Sequence, residues 1–416
     1  MIPTRFQNAA RARELYGDRA DRLAAFLLRC DPPADAAVEA IASMTPGRGW
    51  ALLKRAIAGG IASVPEAPEA FRDLFRELER VPAWVDWPTL DRGGEVLMRA
   101  GFFGGAVLGT ASLIYGYSSP GGNKPLVFAG GLRGGSIGRR LGETSRFVEA
   151  TCSPGGLRRG APGYDATVRV RVMHAQVRRL LRDSGRWRTE AWGEPINQHD
   201  MVSTSLLFSF AVIEGLRRLG FRLSQREVDD NLHLRRYSSH LMCVDPELLP
   251  ASEGDAQRLW HLVELTEGEP DDDSRALTHG LLDSALAHAR TPAERRQAER
   301  IVEVSRTFCR ALIGDAQADR LGVPRSPLRH ALPALRLAID RFERARLASP
   351  ALERRAVETG RRYWASAVAQ NLGRSPAEFA PPLRLTGLGA MRNGLAGHAL
   401  GGLASGLSPF DGAAGR

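Results

Sequence analysis

The sequence predicts an all-α fold, and three observations carry that expectation. No stretch alternates apolar and polar residues convincingly enough for a set of half-buried strands. Amphipathic helix signals recur along the whole chain. Two of them open on capping boxes, Ser224-Gln-Arg-Glu227 and Thr291-Pro-Ala-Glu294, in which a hydroxyl and a carboxylate reciprocally satisfy the first backbone amides. At 416 residues the chain can bury a large core.

Residues 1–80 read as an N-terminal helical extension. The opening stretch, Met1 to Arg11, lacks the apolar run of a secretory signal and enters a charged amphipathic helix, so a cytoplasmic location is expected. Residues 80–250 read as the core. Within them, Ala100 to Tyr115 carries no charge, but its sixteen residues fall short of the roughly twenty that a membrane span needs. A buried helix is expected instead, with glycines that let a flat ligand or another helix come close. Gly220 ends a further helix before the first capping box. Residues 251–384 read as helices packed on this core. Residues 385–416, rich in Gly, Ala, Leu and Ser, read as a flexible tail whose leucines could alternatively pack on the surface.

Two helices carry the unusual chemistry. Ser136 is placed to cap a helix over about 137–151, on which Arg140, Glu143, Thr144 and Phe147 share a face. Such a mixture is odd in plain core, because every buried polar group needs a partner. It suits a polar-edged pocket. After the breaks at Cys152-Ser-Pro-Gly-Gly and Ala161-Pro-Gly163, Asp165 is expected to cap a second helix. There Val170, Val177 and Leu181 lie on one side of His174, and Arg171 and Arg178 lie on the other. One reading is a core histidine beside a solvated arginine face. The other is an iron ligand, with arginines facing the carboxylates of a flat, apolar macrocycle such as haem.

The remaining histidines and cysteines narrow the field. His199 follows Asn197 at a helix start, where it serves either as a distal residue or as a polar start group. His233 and His240 lie seven apart with no zinc or di-iron spacing around them, and they read as structural groups. Cys30, Cys152, Cys243 and Cys309 form no CxxC pair. The net charge of +10 is almost all arginine, spread through mixed-sign helices such as Glu294 to Arg300. No nucleic-acid reading element accompanies it, so a nucleic-acid module is not expected.

The motif order Arg140-x-x-x-Thr144, Arg171-x-x-His174-x-x-x-Arg178 and Trp192-Gly-Glu-Pro-Ile-Asn-Gln198 resembles the rubber oxygenase (latex clearing protein) family, which includes prenyl-cleaving fungal relatives. The likeness extends more weakly through Tyr117-Ser-Ser-Pro-Gly-Gly-Asn-Lys-Pro-Leu-Val-Phe128 and His240 to Pro250. It implies a globin-like helical core that binds haem b with His174 on the iron. Arg140, Thr144, Arg171 and Arg178 would lie around the cofactor. It also implies O2-dependent cleavage of an isoprenoid double bond. A non-catalytic haem protein that binds or senses a gas is the alternative.

Two departures bear on mechanism. Rubber-cleaving members place a lysine directly before the threonine, whereas this chain has Glu143, and its two lysines are Lys54 and Lys124. They also carry an upstream glutamate as acid/base, yet no Asp or Glu occurs from Val96 to Gly142. Glu143 is the nearest replacement, through a raised pKa in an oily pocket. Its alternative role is ion pairing with Arg140 or Arg146. Polyisoprene therefore does not follow automatically as substrate. Oligomeric state does not follow from the sequence.

Overall fold

The computed structural model describes residues 2–130, 136–372, 377–379 and 381–386. It is 73% helical, with no strand among the described residues. Both capping boxes form as read, starting helices Gln225–Leu241 and Pro292–Ile313.

The charge-free stretch becomes the spine of the molecule. Helix Glu95–Val107 passes through a π-helical turn, Leu108–Ser112, into helix Leu113–Ser118. By length and composition alone the stretch Trp87–Ser118 is apolar enough to cross a membrane, but 67% of its most apolar window is buried inside the protein. Glycine allows that packing. Gly360, on the closing helix Pro350–Leu372, lies against the spine so tightly that a Cβ there would stand 1.6 Å from the Met98 carbonyl oxygen. Gly101 breaks the spine at φ +48°, a conformation open mainly to glycine.

One core runs from Ala34 through Phe71, Leu97, Ile114, Val168, Leu216 and Phe308 to Trp364. A second cluster packs Phe6, Leu23 and Phe26 against Val202, Val244 and Leu262. Residues 1–80 and 251–384 thus share their interior with the central region. Buried charges reinforce the joint, since a buried ion needs a partner. Arg99, on the spine, pairs with Glu227 at 2.6 Å and Glu343 at 3.4 Å, and Arg346 meets Glu343 at 3.0 Å. Of the tail, Leu385 packs on the Phe128–Val177–Leu181 cluster and the Thr386 hydroxyl donates to the Ala129 carbonyl at 3.0 Å. The remainder of the tail, and the residues just before Ser136, lie outside the described residues. All four cysteines are free thiols.

Candidate functional site

The arginine helix spans Ser136–Cys152. Its Gly142 turns toward the closing helix, where a Cβ would meet Leu372 at 2.7 Å. Arg140, Thr144 and Phe147 occupy the opposite side, as the 3.6-residue period requires. Phe147 approaches Phe208 edge-on, with ring centroids 6.4 Å apart, which brings helix Gln198–Phe208 to the same place. Tyr117, near the end of the spine, interacts electrostatically with Arg140. Arg140 is exposed, yet the protein packed around its base lowers its guanidinium pKa by desolvation, partly offset by Tyr117 and Glu143. An exposed side chain at the mouth of a recess, with protein on one side and solvent on the other, meets both conditions.

The histidine helix spans Pro162–Asp183 and packs beside the arginine helix. Asp165 does not cap it. Pro162, which lacks an amide to satisfy, already starts the helix after Ala161, and Asp165 falls inside the first turn. His174 is partly accessible, but its Nδ1 is buried without a hydrogen-bond partner. Burial, reinforced by the charge of Arg178 and opposed by Asp31, pushes its pKa down to about 4. The imidazole is therefore neutral near pH 7, the form that ligates metals.

The flanking arginines are placed differently from the sequence expectation. Arg171 is fully buried and donates to Asp31 at 2.7 and 2.9 Å, to Glu77 at 2.8 Å and to the Leu241 carbonyl at 3.3 Å. Arg178 donates to Asp35 at 2.7 Å and to the Ile196 carbonyl at 2.9 Å. Both guanidiniums thus point at helix Pro32–Ala42 and its cap, because those carboxylates supply the compensation a buried cation needs. They anchor the histidine helix; Arg178 Nη2 stays buried without a hydrogen-bond partner. Glu143 pairs with Arg139 at 3.2 Å, and Arg146 pairs with Glu149 at 2.6 Å. Glu143 also acts on Arg140 electrostatically, one of the two partners expected from spacing, whereas Arg146 goes to Glu149 instead. Lys124 is committed to Asp271 at 2.7 Å and to Asp273.

His233 Nε2 accepts the Asp86 amide at 3.1 Å, and His233 and His240 both pack edge-on to Trp84. His199 is buried with Nδ1 3.5 Å from Asp200 and, like that of His174, without a hydrogen-bond partner. Among the described residues, His199, Asp200 and Glu267 form the group with metal-ligand spacing, but the Arg5 guanidinium already sits on both carboxylates. Among the described residues, His174 belongs to no such group. A lone imidazole suits a metal that brings its other ligands with it, and not a bare ion.

Sequence reasoning missed Tyr117, Phe208, Asp31 and Arg5 as parts of this arrangement. Tyr117 had one local signal, a phenol just beyond a long charge-free run. The others come from distant parts of the chain.

A family model described as "ER-bound oxygenase mpaB/B'/Rubber oxygenase, catalytic domain" matches residues 95–345. A curated rubber oxygenase from Streptomyces sp. (strain K30) is 25% identical over 299 residues. That match covers 67% of this chain and 65% of the relative, so the chain spans just under two thirds of that protein's length. Among solved structures, latex clearing protein LCP in the closed state matches with a TM-score of 0.65 at 23% identity, covering 82% of this chain and 91% of that one. The matched segment contains the spine, Arg140, Thr144 and His174, and the all-helical fold is shared. The chain belongs to the mpaB/rubber oxygenase catalytic-domain family.

Proposed function

We propose that this protein is a haem b-dependent oxygenase that uses O2 to cleave a carbon–carbon double bond in an isoprenoid or other apolar unsaturated substrate. One observation carries the reading: a neutral, partly accessible His174 whose Nδ1 is buried without a partner, inside the oxygenase-matched segment and, among the described residues, outside any multi-ligand metal cluster. His174 would hold the iron, and Arg140 and Thr144 would meet the polar edge of the cofactor. Haem bound there would supply an iron centre able to bind and activate O2.

The protein's own groups do the rest. Phe147 and Phe208 exclude water from the recess and receive an apolar chain. Arg171 and Arg178 fix the azimuth of the histidine helix through Asp31, Glu77 and Asp35. Glu143 shares its carboxylate with Arg139, so the proton-holding role in the recess passes to Tyr117. Its phenol, protonated at neutral pH in any case, is held still further from ionisation by burial, against the opposing charge of Arg140. A Tyr117→Phe protein should keep the cofactor spectrum and lose turnover; unchanged turnover would remove Tyr117 from the reaction.

The reading is tested by the absorption spectrum of the purified protein, with and without His174→Ala. The expected result is a haem spectrum that the substitution abolishes while the helical circular dichroism persists. A wild-type protein that is colourless and takes up no added haem would overturn it. Oxygen consumption with a panel of unsaturated isoprenoids then separates a catalyst from a protein that only binds gas reversibly.

A further inference from the structure

The two motifs that the proposed chemistry leaves unused, Ser118-Ser-Pro-Gly-Gly122 and Trp192 to Asp200, converge on one side chain far from them in sequence. Arg5 forks onto Asp200 with bonds of 3.0 and 2.8 Å. It also donates to Glu267 and to the Ser119 hydroxyl, both at 3.2 Å, and to the Trp192 carbonyl at 3.4 Å. Its side chain is only 7% accessible. The backbone before it is held in register by Thr4 and Arg5 amides donating to Glu190 and Ala191 carbonyls at 3.0 Å each.

The motifs are shaped for this guest. A Cβ on Gly121 would lie 2.4 Å from Arg5 Nε, so the turn must be glycine for the guanidinium to lie against it. Ser119 in turn donates to Glu267 at 2.7 Å and accepts the Gly122 amide at 3.0 Å. Asn197 caps the helix through the Asp200 amide and also donates to the Asp200 carboxylate, each at 3.0 Å. The ligand atoms of His199, Asp200 and Glu267 lie within 4.8 Å of one another, the spacing of a cation site. Here the cation is the protein's own arginine.

The consequence lies in what these motifs carry. Ser119 is two residues beyond Tyr117, whose carbonyl accepts from Asn123 at 3.0 Å within the same turn. Asp200 sits in the first turn of the helix that ends at Phe208. One guanidinium thus ties together the bases of two walls of the recess. We infer that Arg5, well ahead of the matched segment 95–345, is a positioning residue for the oxygenase pocket, fixing Tyr117 and Phe208 relative to each other. Charge alone does not suffice, because four acceptors on three segments need the planar fork that lysine lacks.

This inference rests on the proposed function for its catalytic meaning, but its test does not depend on it. Arg5→Gly opens a guanidinium-shaped space, and Arg5→Lys keeps the charge if the glycine variant fails to fold. Both are compared with wild type in full-length protein by far- and near-ultraviolet circular dichroism, haem titration and oxygen consumption. The expected result is retained helix content with haem affinity or turnover about tenfold or more below wild type. Millimolar ethylguanidinium should restore Arg5→Gly, whereas ethylammonium should not, and Arg5→Lys should stay impaired. Wild-type haem binding and turnover in both variants would overturn the inference, as would equal rescue by the two cations. If wild type itself takes no haem, the oxygenase reading fails separately. Arg5 is then judged by whether ethylguanidinium restores the near-ultraviolet signal of Arg5→Gly but leaves Arg5→Gly/Tyr117→Phe unchanged.

Discussion

At the scale of single residues, burial decides the chemistry of His174. Its ordinary pKa of 6.5 falls to about 4, so the unfolded chain binds a proton that the haem-free native state refuses over that interval. The sign follows: this contribution to stability is complete above about pH 6.5, is lost as pH falls toward 4, and levels off below. It amounts to at most about 3 kcal/mol. Urea unfolding of haem-free protein at several pH values should show this limb, and His174→Leu should flatten it. Identical pH slopes in the two proteins would refute the assignment. Arg171 behaves oppositely, as a buried cation whose worth lies in its partner. Arg171→Leu leaves Asp31 buried and uncompensated and should cost about 3–5 kcal/mol. A second change, Asp31→Leu, should recover much of that loss in the same denaturation assay; a strictly additive double mutant would argue against the pair.

At the scale of elements, the packing of the closing helix on the spine shows how two helical glycines take different roles. A Cβ on Gly360 would collide with the Met98 carbonyl, whereas one on Gly109, in the π-helical turn, would meet no atom within 4 Å. Gly360→Ala should therefore destabilise by about 1–3 kcal/mol or more through overpacking. Gly109→Ala should be neutral or gain about 0.5–1 kcal/mol through helix propensity. Thermal denaturation of the two variants checks this directly, and a stable Gly360→Ala would mean that the helices do not cross there. The elements themselves were largely legible. The capping boxes, the arginine helix within a residue or so of its ends, and the buried nature of the charge-free run all follow from caps and periodicity. Asp165 is not the cap because Pro162 and Asp165 are both helix-start signals, and the proline, being earlier, prevails.

At the scale of the whole molecule, a core running from Ala34 to Trp364, cross-tied by Arg99 and Arg346, predicts one cooperative unfolding transition. Scanning calorimetry should give a calorimetric enthalpy equal to the van't Hoff value; two resolved transitions would show that residues 1–80 or 251–384 unfold independently. The sequence by itself determined the helical class, the family and the helical face that presents His174. These depend on residues within a turn or two of one another, where spacing and caps act. Only the tertiary structure decided which cation each carboxylate meets. Arg171 finds Asp31 across 140 positions and Arg5 finds Asp200 across 195, and no local pattern encodes such pairs. A buried charge takes whichever counter-ion the packing of distant helices brings within hydrogen-bond reach, so arginines whose spacing suggested a cofactor's rim became anchors for the helix that carries His174.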